Sequence, residues 1–326
     1  MDTFRSFPKG PFQLAESAKF LCGFTPQAGS SATTRKGELF LGFASDADFA
    51  PVVVKLVQEG DIVVGSASRD APGLVAQVER ILSLDVDASR FESVCAEDPV
   101  VHAALAERPG FRPVVFPSPY EAAVWGVLAQ RVPMKAAAKA KESLAAATGT
   151  KAFGLGRHFL VSPHPAALLE VREVPGIPSE KLRRLHGIAA AALEGKLDAS
   201  RLRAMPENQA LRELESLRGV GPWTANHILH RGAGSVDALP LDEPRVLRAV
   251  SAIVGRADTM SAEEVRVRAR RWSPFRMWVC VLLVSRLAAT PRWHGPEPRG
   301  RGTRSVRHGT REPFVQSSLR FDGPTS

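Results

Sequence analysis

Two glycines one residue apart, set between apolar residues at helical spacing, constrain this chain more than any other feature. Leu211, Leu214 and Leu217 precede Gly219-Val220-Gly221, and Ala225, Ile228 and Leu229 follow it, which predicts helix, tight turn, helix over about residues 207–232. Gly219 and Gly221 permit positive φ and close backbone approach. Pro222 suits a first helical position, where its missing N–H would have had no partner. The free N–H groups of such a turn, at the positive end of a helix dipole, form a seat for a phosphate oxygen. Paired glycines also serve simply to allow a sharp connection. Here, however, the complete stretch runs from Leu217 through Trp223-Thr224-Ala225, and Pro240-Leu241-Asp242-Glu243-Pro244 follows after one helix. Two carboxylates therefore stand close behind the hairpin.

Composition bounds the possibilities. The 326 residues are enough for two domains and a tail, and 43 Lys+Arg against 34 Asp+Glu give a formal charge of +9, which suits a polyanionic partner without requiring one. Cys22, Cys95 and Cys280 are too few and too dispersed for an iron–sulfur centre or another metal cluster, and they read as reduced thiols. Met1 to Arg5 lacks the apolar run of a secretory signal. Met277 to Ala289 is apolar but too short for a bilayer and is interrupted by Arg286, so it reads as a core helix. A cytoplasmic, nucleoid-associated protein with no cofactor and no membrane contact is expected. A metabolic enzyme for a small molecule finds no support, since the chain has no glycine-rich nucleotide loop, zinc motif or nucleophile elbow.

The expected architecture is α+β. Residues 1–72 read as a small mixed α/β domain, with β-favouring runs at Glu38 to Phe43 and Asp61 to Gly65 and a candidate helix over Asp46 to Leu56. Residues 73–291 read as a mainly α-helical core. Within it, Ser118-Pro119-Tyr120-Glu121 and Ser261-Ala262-Glu263-Glu264 are capping-box sequences. Arg266, Arg268, Arg270 and Arg271 follow the second and read as a solvated face rather than a specific contact. Residues 292–326, rich in Gly, Pro, Ser and Arg, read as a basic, disordered tail.

The hairpin and the segments around it resemble the helix-hairpin-helix superfamily of DNA glycosylases, specifically the 3-methyladenine DNA glycosylase II branch. The resemblance spans roughly residues 70–290. It includes Leu84-Asp85-Val86-Asp87, Asp98-Pro99-Val100, Arg108 to Pro113, Ala129-Gln130-Arg131-Val132, Ala190 to Gly195 and Trp272-Ser273-Pro274-Phe275-Arg276. It implies a helix-hairpin-helix glycosylase core beside a small N-terminal domain. The implied activity is monofunctional hydrolysis of the N-glycosidic bond of damaged, alkylated purines in double-stranded DNA, by a monomer with no protein partner. A non-catalytic protein of the same fold that binds lesions or junctions is the alternative.

A base inside a duplex does not present its glycosidic bond, so such an enzyme grips the backbone, fills the gap left by the everted nucleotide and stabilises the charge that develops on the sugar. Gly219, Val220, Gly221 and Thr224 are candidates for the grip. The resemblance adds a possible monovalent cation at the carbonyls of Leu217 and Val220, and no catalytic metal. Arg131, beside Gln130, matches the family's wedge position, and a surface arginine touching phosphate is an equal alternative. An oxocarbenium-like sugar calls for a carboxylate. The family's aspartate aligns with Glu243, with Asp242 beside it as second candidate; either acid also fits as the cap of the next helix. Trp223 stands where lyase-competent relatives carry a nucleophilic lysine, so no strand cleavage is expected. Trp223, His227 and Trp125 are candidates for the base pocket, with core packing as the other reading of each. Family aromatics are replaced by His227 and Val284.

Overall fold

Stiff β-branched runs separated by polar turns dominate the chain up to residue 70, and they pair into one sheet. The computed structural model describes residues 3–23, 32–35 and 37–288. Strands β1 (Thr3–Ser6), β2 (Ala32–Arg35), β3 (Glu38–Ala44), β4 (Pro51–Glu59) and β5 (Ile62–Ala67) form an antiparallel sheet in the order β1-β5-β4-β3-β2. The helix expected over Asp46 to Leu56 does not form. Val52, Val53 and Val54 instead lie within β4, fully buried, because this strand is covered on both faces and so lacks the alternation that marks a half-exposed one.

One face packs on α1 (Leu14–Gly23) and α2 (Leu74–Ile81), through Leu14, Leu21, Leu74 and Val78 against Leu41, Phe43, Val54 and Leu56. The other carries a small hairpin, β6 (Lys151–Gly154) and β7 (Arg157–Leu160), whose Phe159 lies over Gly42. A Cβ at Gly42 would sit 2.5 Å from the Phe159 ring, so glycine there is a packing requirement.

The rest is helical and divides between two cores. The first gathers α5 (Pro119–Leu128), α6 (Met134–Thr148), α7 (Pro165–Glu170), α8 (Ser179–Leu193), α9 (Ala199–Ala204), α10 (Glu207–Glu215) and α11 (Pro222–His227), which runs on as a π-helical segment, Ile228–Ala233. The second gathers α3 (Phe91–Ala96), α4 (Pro99–Ala106), α12 (Pro244–Ile253), α13 (Ala262–Ala269) and α14 (Arg276–Ala288). The fold is thus α+β with a mainly helical body. The segment Gly234 to Glu243 passes from one core to the other, so residues at its two ends meet at their junction. Among the described residues, no helix is long and apolar enough to cross a membrane. All described residues belong to the unit Met1–Pro291, and the expected basic tail lies outside them.

Local signals explain most helix ends. Ser118 accepts the Glu121 N–H at 3.0 Å with proline behind it, and Ser261 with Glu264 completes a reciprocal capping box. At Ser118 the expected reciprocal half is replaced: the buried Glu121 carboxylate reaches the Ala44 N–H of β3 at 3.5 Å, linking sheet to helices. Cys95 and Cys280 are buried, and burial pushes both thiols up to about 12, which makes them inert. The side chain of Cys22 lies outside the described residues.

Arg268 departs from the expected solvated face. Its Nη2 donates at 2.6 Å to Asp98, which is fully buried, caps α4 through the Val100 N–H and also accepts from Trp272 Nε1 at 3.1 Å. Trp272, Phe275 and Trp278 are core residues around this polar knot. Asp98→Ala removes the cap and leaves Arg268 without its anion. It is expected to lower the unfolding free energy by about 3–5 kcal/mol in urea titration; a loss under about 1 kcal/mol would show that the pair contributes no more than a surface one.

Candidate active site

The hairpin is fixed from inside by apolar anchors. Leu214 and Ala225 are fully buried and Val220 nearly so, which holds both helices and the middle of the turn against the core. Leu217 N–H donates to the Leu214 carbonyl at 3.1 Å, and Val220 N–H to the Leu217 carbonyl at 3.0 Å. The two glycines differ in kind. Gly219 has φ +83°, and a Cβ there would meet Arg184 Cγ at 2.6 Å. Gly221 has φ −99°, with open space where a Cβ would stand, so neither torsion nor internal packing requires glycine at that position.

The loop after α5 meets the hairpin through Gln130. Its Nε2 donates to the Gly219 carbonyl at 2.8 Å and lies 3.5 Å from Thr224 Oγ1, while its Oε1 accepts from Arg184 Nη1 at 2.8 Å. Gln130 thus joins the two surface elements from behind. Lys181 Nζ donates to the carbonyls of Leu128 at 2.8 Å and Gln130 at 3.2 Å, closing the end of α5. Arg131, the next residue, is exposed in the left-handed region at φ +57°, a conformation unusual for arginine that turns its side chain away from the helix. Val132 and Met134 are also exposed beside it.

Behind the hairpin, Trp223 and His227 lie one helical turn apart with their rings stacked, centroids 5.2 Å apart and planes 8° from parallel. Phe116 meets the other side of His227 edge-on at 5.1 Å. His227 Nε2 is buried without a hydrogen-bond partner. Burial, helped by the positive charges of Arg231 and Arg245, pushes this imidazole down to about 3, so it is neutral at physiological pH. Trp125 is only 3% exposed and packs with Phe116, Ala122 and Ala137.

The two acids separate clearly. Glu243 caps α12 and is half-buried. Its Oε1 accepts the Arg245 backbone N–H at 3.1 Å and Arg245 Nε at 2.9 Å; its Oε2 accepts Arg245 Nη2 at 2.9 Å and Trp223 Nε1 at 3.1 Å. Burial acts to raise its pKa, but the hydrogen bonds and charge of Arg245, with Trp223, outweigh that and hold the carboxyl below its usual range. Asp242 is exposed and accepts only from Asn226 Nδ2, at 3.3 Å. The geometry brings Trp223, His227 and Glu243 together and leaves Asp242 on the rim. Arg245, Arg184, Lys181 and Phe116 were missed by sequence reasoning. Only Arg245 carried a signal, a basic residue in the first turn behind an acid, and that arrangement is ordinarily unremarked.

Among the described residues, no group of three or more His, Cys, Asp or Glu side chains could hold a metal ion. No family model matches the chain. The chain is 24% identical over 218 residues to the DNA-3-methyladenine glycosylase of Bacillus subtilis, covering 64% of this chain and 71% of that protein. It is 31% identical over 216 residues to the probable bifunctional transcriptional activator/DNA repair enzyme AlkA of Mycobacterium tuberculosis, but spans only 42% of that longer protein. Its fold is similar to that of the 3-methyladenine DNA-glycosylase from Archaeoglobus fulgidus, with a TM-score of 0.69 at 21% identity over 86% of this chain and 97% of the other. The hairpin and the helical body thus share the fold of that glycosylase structure. In sequence the chain is likewise similar to the DNA-3-methyladenine glycosylase 2 of Escherichia coli, 28% identical over 200 residues, covering 58% of this chain and 67% of that protein.

The contrast between the glycines is measurable on the free protein. Gly219→Ala forces a side chain into a left-handed backbone and against Arg184, and is expected to cost about 1–2 kcal/mol. Gly221→Ala is expected to stay within about 0.5 kcal/mol of the parent. Equal losses in thermal or urea unfolding would show that the turn needs both for folding.

Proposed function

We propose that this chain is a monofunctional DNA glycosylase of base excision repair that everts an alkylated purine nucleotide from duplex DNA and hydrolyses its N-glycosidic bond, with Glu243 as the catalytic carboxylate. The observation that carries this reading is the junction itself, where a carboxylate held anionic lies within hydrogen-bond distance of the indole that flanks it. Named relatives among the 3-methyladenine DNA glycosylases support the substrate class.

The steps follow from the placement of the residues. The N–H groups at the start of α11 and the open face of Gly221 receive a phosphate oxygen, as a helix N-terminus does. The carbonyl of Leu217 keeps a second lone pair after accepting the Val220 N–H, so with the Val220 carbonyl it would suit a monovalent cation beside that phosphate. Arg131, raised on its left-handed turn, fills the vacated space in the base stack. The everted purine lies against Trp223, whose electron-rich face favours an electron-poor alkylated ring.

As the C1′–N bond breaks, its electron pair leaves with the base, and a cationic alkylated purine departs neutral. Positive charge develops on the sugar, where the Glu243 carboxylate stabilises it. A water oxygen then bonds to C1′, and its proton passes to the carboxylate and on to solvent. Position 223 is an indole with no amine to attack the sugar, so the product is an abasic site in an intact strand. Asp242, on the rim, takes no part. The reading extends to a monomer acting at the nucleoid in the cytoplasm.

Base release from methylated duplex DNA tests the proposal. Glu243→Gln is expected to slow release by about 10²–10³-fold, whereas Asp242→Asn keeps most of the rate. Undiminished release by Glu243→Gln, or tight binding to abasic-analogue DNA with no release by the parent protein, would overturn it.

For the grip, Gly221→Ala is expected to weaken DNA binding without changing stability. Affinity of the parent protein is expected to fall linearly with log salt as phosphate counterions are released. A salt-independent affinity, or full affinity in the variant, would remove the hairpin from the DNA interface.

A further inference from the structure

Glu243 has an arm one methylene longer than an aspartate, yet its carboxylate does not extend from the helix end. It is folded back over its own helix, with Oε1 on the Arg245 N–H as a shorter cap residue would place it. The fold is enforced by the guanidinium of Arg245, which donates through two nitrogens to both carboxylate oxygens, at 2.9 Å each, in the planar fork geometry that fixes orientation. Trp223 Nε1 supplies the remaining fixed donor, from the opposite core. Arg245 itself is 45% exposed, and an ion pair so open to solvent adds little to stability. What the pair provides is direction: four donors on two oxygens leave the carboxylate one orientation, at the Trp223 edge.

We propose that Arg245 is a positioning residue that shortens the effective reach of Glu243 and aims its carboxylate at the Trp223 edge. This rests on the glycosylase reading above. Arg245 touches no reacting atom in this scheme; it acts through Glu243. The same contacts keep the carboxylate ionised. The other charged or titratable groups around Glu243 are His227 on α11, neutral at physiological pH, Arg231 on the π-helical segment beyond it, and the exposed Asp242.

Arg245→Met, Arg245→Lys and the double variant Glu243→Asp with Arg245→Met test this under single-turnover conditions on methylated duplex DNA. For Arg245→Met the expected result is a rate about 10- to 100-fold lower, unchanged affinity for abasic-analogue DNA, and an acid limb of the pH–rate profile moved to higher pH. The sign follows from the chemistry: without the guanidinium, Glu243 takes up its proton at a higher pH, so activity is lost earlier on acidification. Arg245→Lys recovers part of the rate, because ammonium supplies the charge without the fork. The double variant exceeds Arg245→Met alone, because aspartate needs no folding back.

Unchanged rate and acid limb in Arg245→Met would overturn the proposal. So would a loss confined to DNA affinity with a shallower salt dependence, which would make Arg245 a phosphate contact. Titration of the Glu243 carboxyl by ¹³C NMR in the parent and Arg245→Met proteins reads the effect without turnover. An inactive parent would sink the glycosylase reading, whereas an unmoved carboxyl titration would sink the role of Arg245.

Discussion

Helix α5 and the segment from α11 through the π-helical turn approach each other so closely that two glycines mark the contact. A Cβ on Gly126 would stand 2.9 Å from Thr224 Cγ2, and one on Gly232 would stand 2.7 Å from the Pro119 Cα and 2.9 Å from the Ala122 Cβ. Glycine in a helix costs backbone entropy, and it is retained here where any side chain would force the helices apart. The distance has consequences at both ends. At one end, Gln130 reaches the Gly219 carbonyl, so the loop bearing Arg131 is tied to the glycine hairpin. At the other, the π-helical segment ends at Gly234, in the left-handed region at φ +88°, where the chain leaves for the second core and Glu243.

Buried cationic side chains hold the remaining interfaces by saturating main-chain carbonyls. Arg112, fully buried, donates to the carbonyls of Lys9, Gly10, Pro11, Ser83 and Val86, tying the N-terminal segment to the region after α2. Burial pushes its pKa down to about 10, which still leaves it protonated at neutral pH. Arg80 donates to Gly232 and Pro117 carbonyls and pairs with Asp46, so the sheet, α2 and the π-helical segment share one guanidinium. A buried guanidinium with five hydrogen bonds, as at Arg112, specifies geometry more than it adds stability, because a shifted element would leave it unsatisfied.

What could be read from the residues and what could not divide along this same line. The hairpin, the capping serines, the helix behind Pro244 and the core helix after Arg276 were legible because each depends on local backbone chemistry: φ freedom at Gly219, missing donors at prolines, side-chain acceptors at helix starts. Strand β4 was misread because its burial on both faces erased the alternation that a strand usually shows. Glu121 and Arg268 were misassigned because their partners, Ala44 and Asp98, lie 77 and 170 residues away. At the candidate site, both acids were visible, and the alignment put Glu243 ahead of Asp242, but the surroundings of each were not legible. What was hidden is Trp223 Nε1, which meets Glu243 only once two cores are docked. Trp125 was read as a pocket candidate with core packing as the other reading, and it lies buried among Phe116, Ala122 and Ala137.

The neutral state of His227 completes the electrostatics of the junction. In the proposed reaction, a protonated imidazole stacked on Trp223 would repel both a cationic alkylated base lying against that indole and the positive charge growing on the sugar, at separations where two unit charges in a partly dry site interact by several kcal/mol. Burial and the neighbouring guanidinium groups of Arg231 and Arg245 suppress that protonation well below physiological pH. Arg245 introduces positive charge of its own, but its guanidinium is matched by the Glu243 carboxylate through both oxygens. The anion is therefore partly compensated before substrate arrives. An approaching cation gains less from Glu243 than from a bare carboxylate, while the carboxylate stays ionised and aimed. At this site the arginine exchanges field strength for orientation, and the uncharged histidine keeps that exchange from being undone.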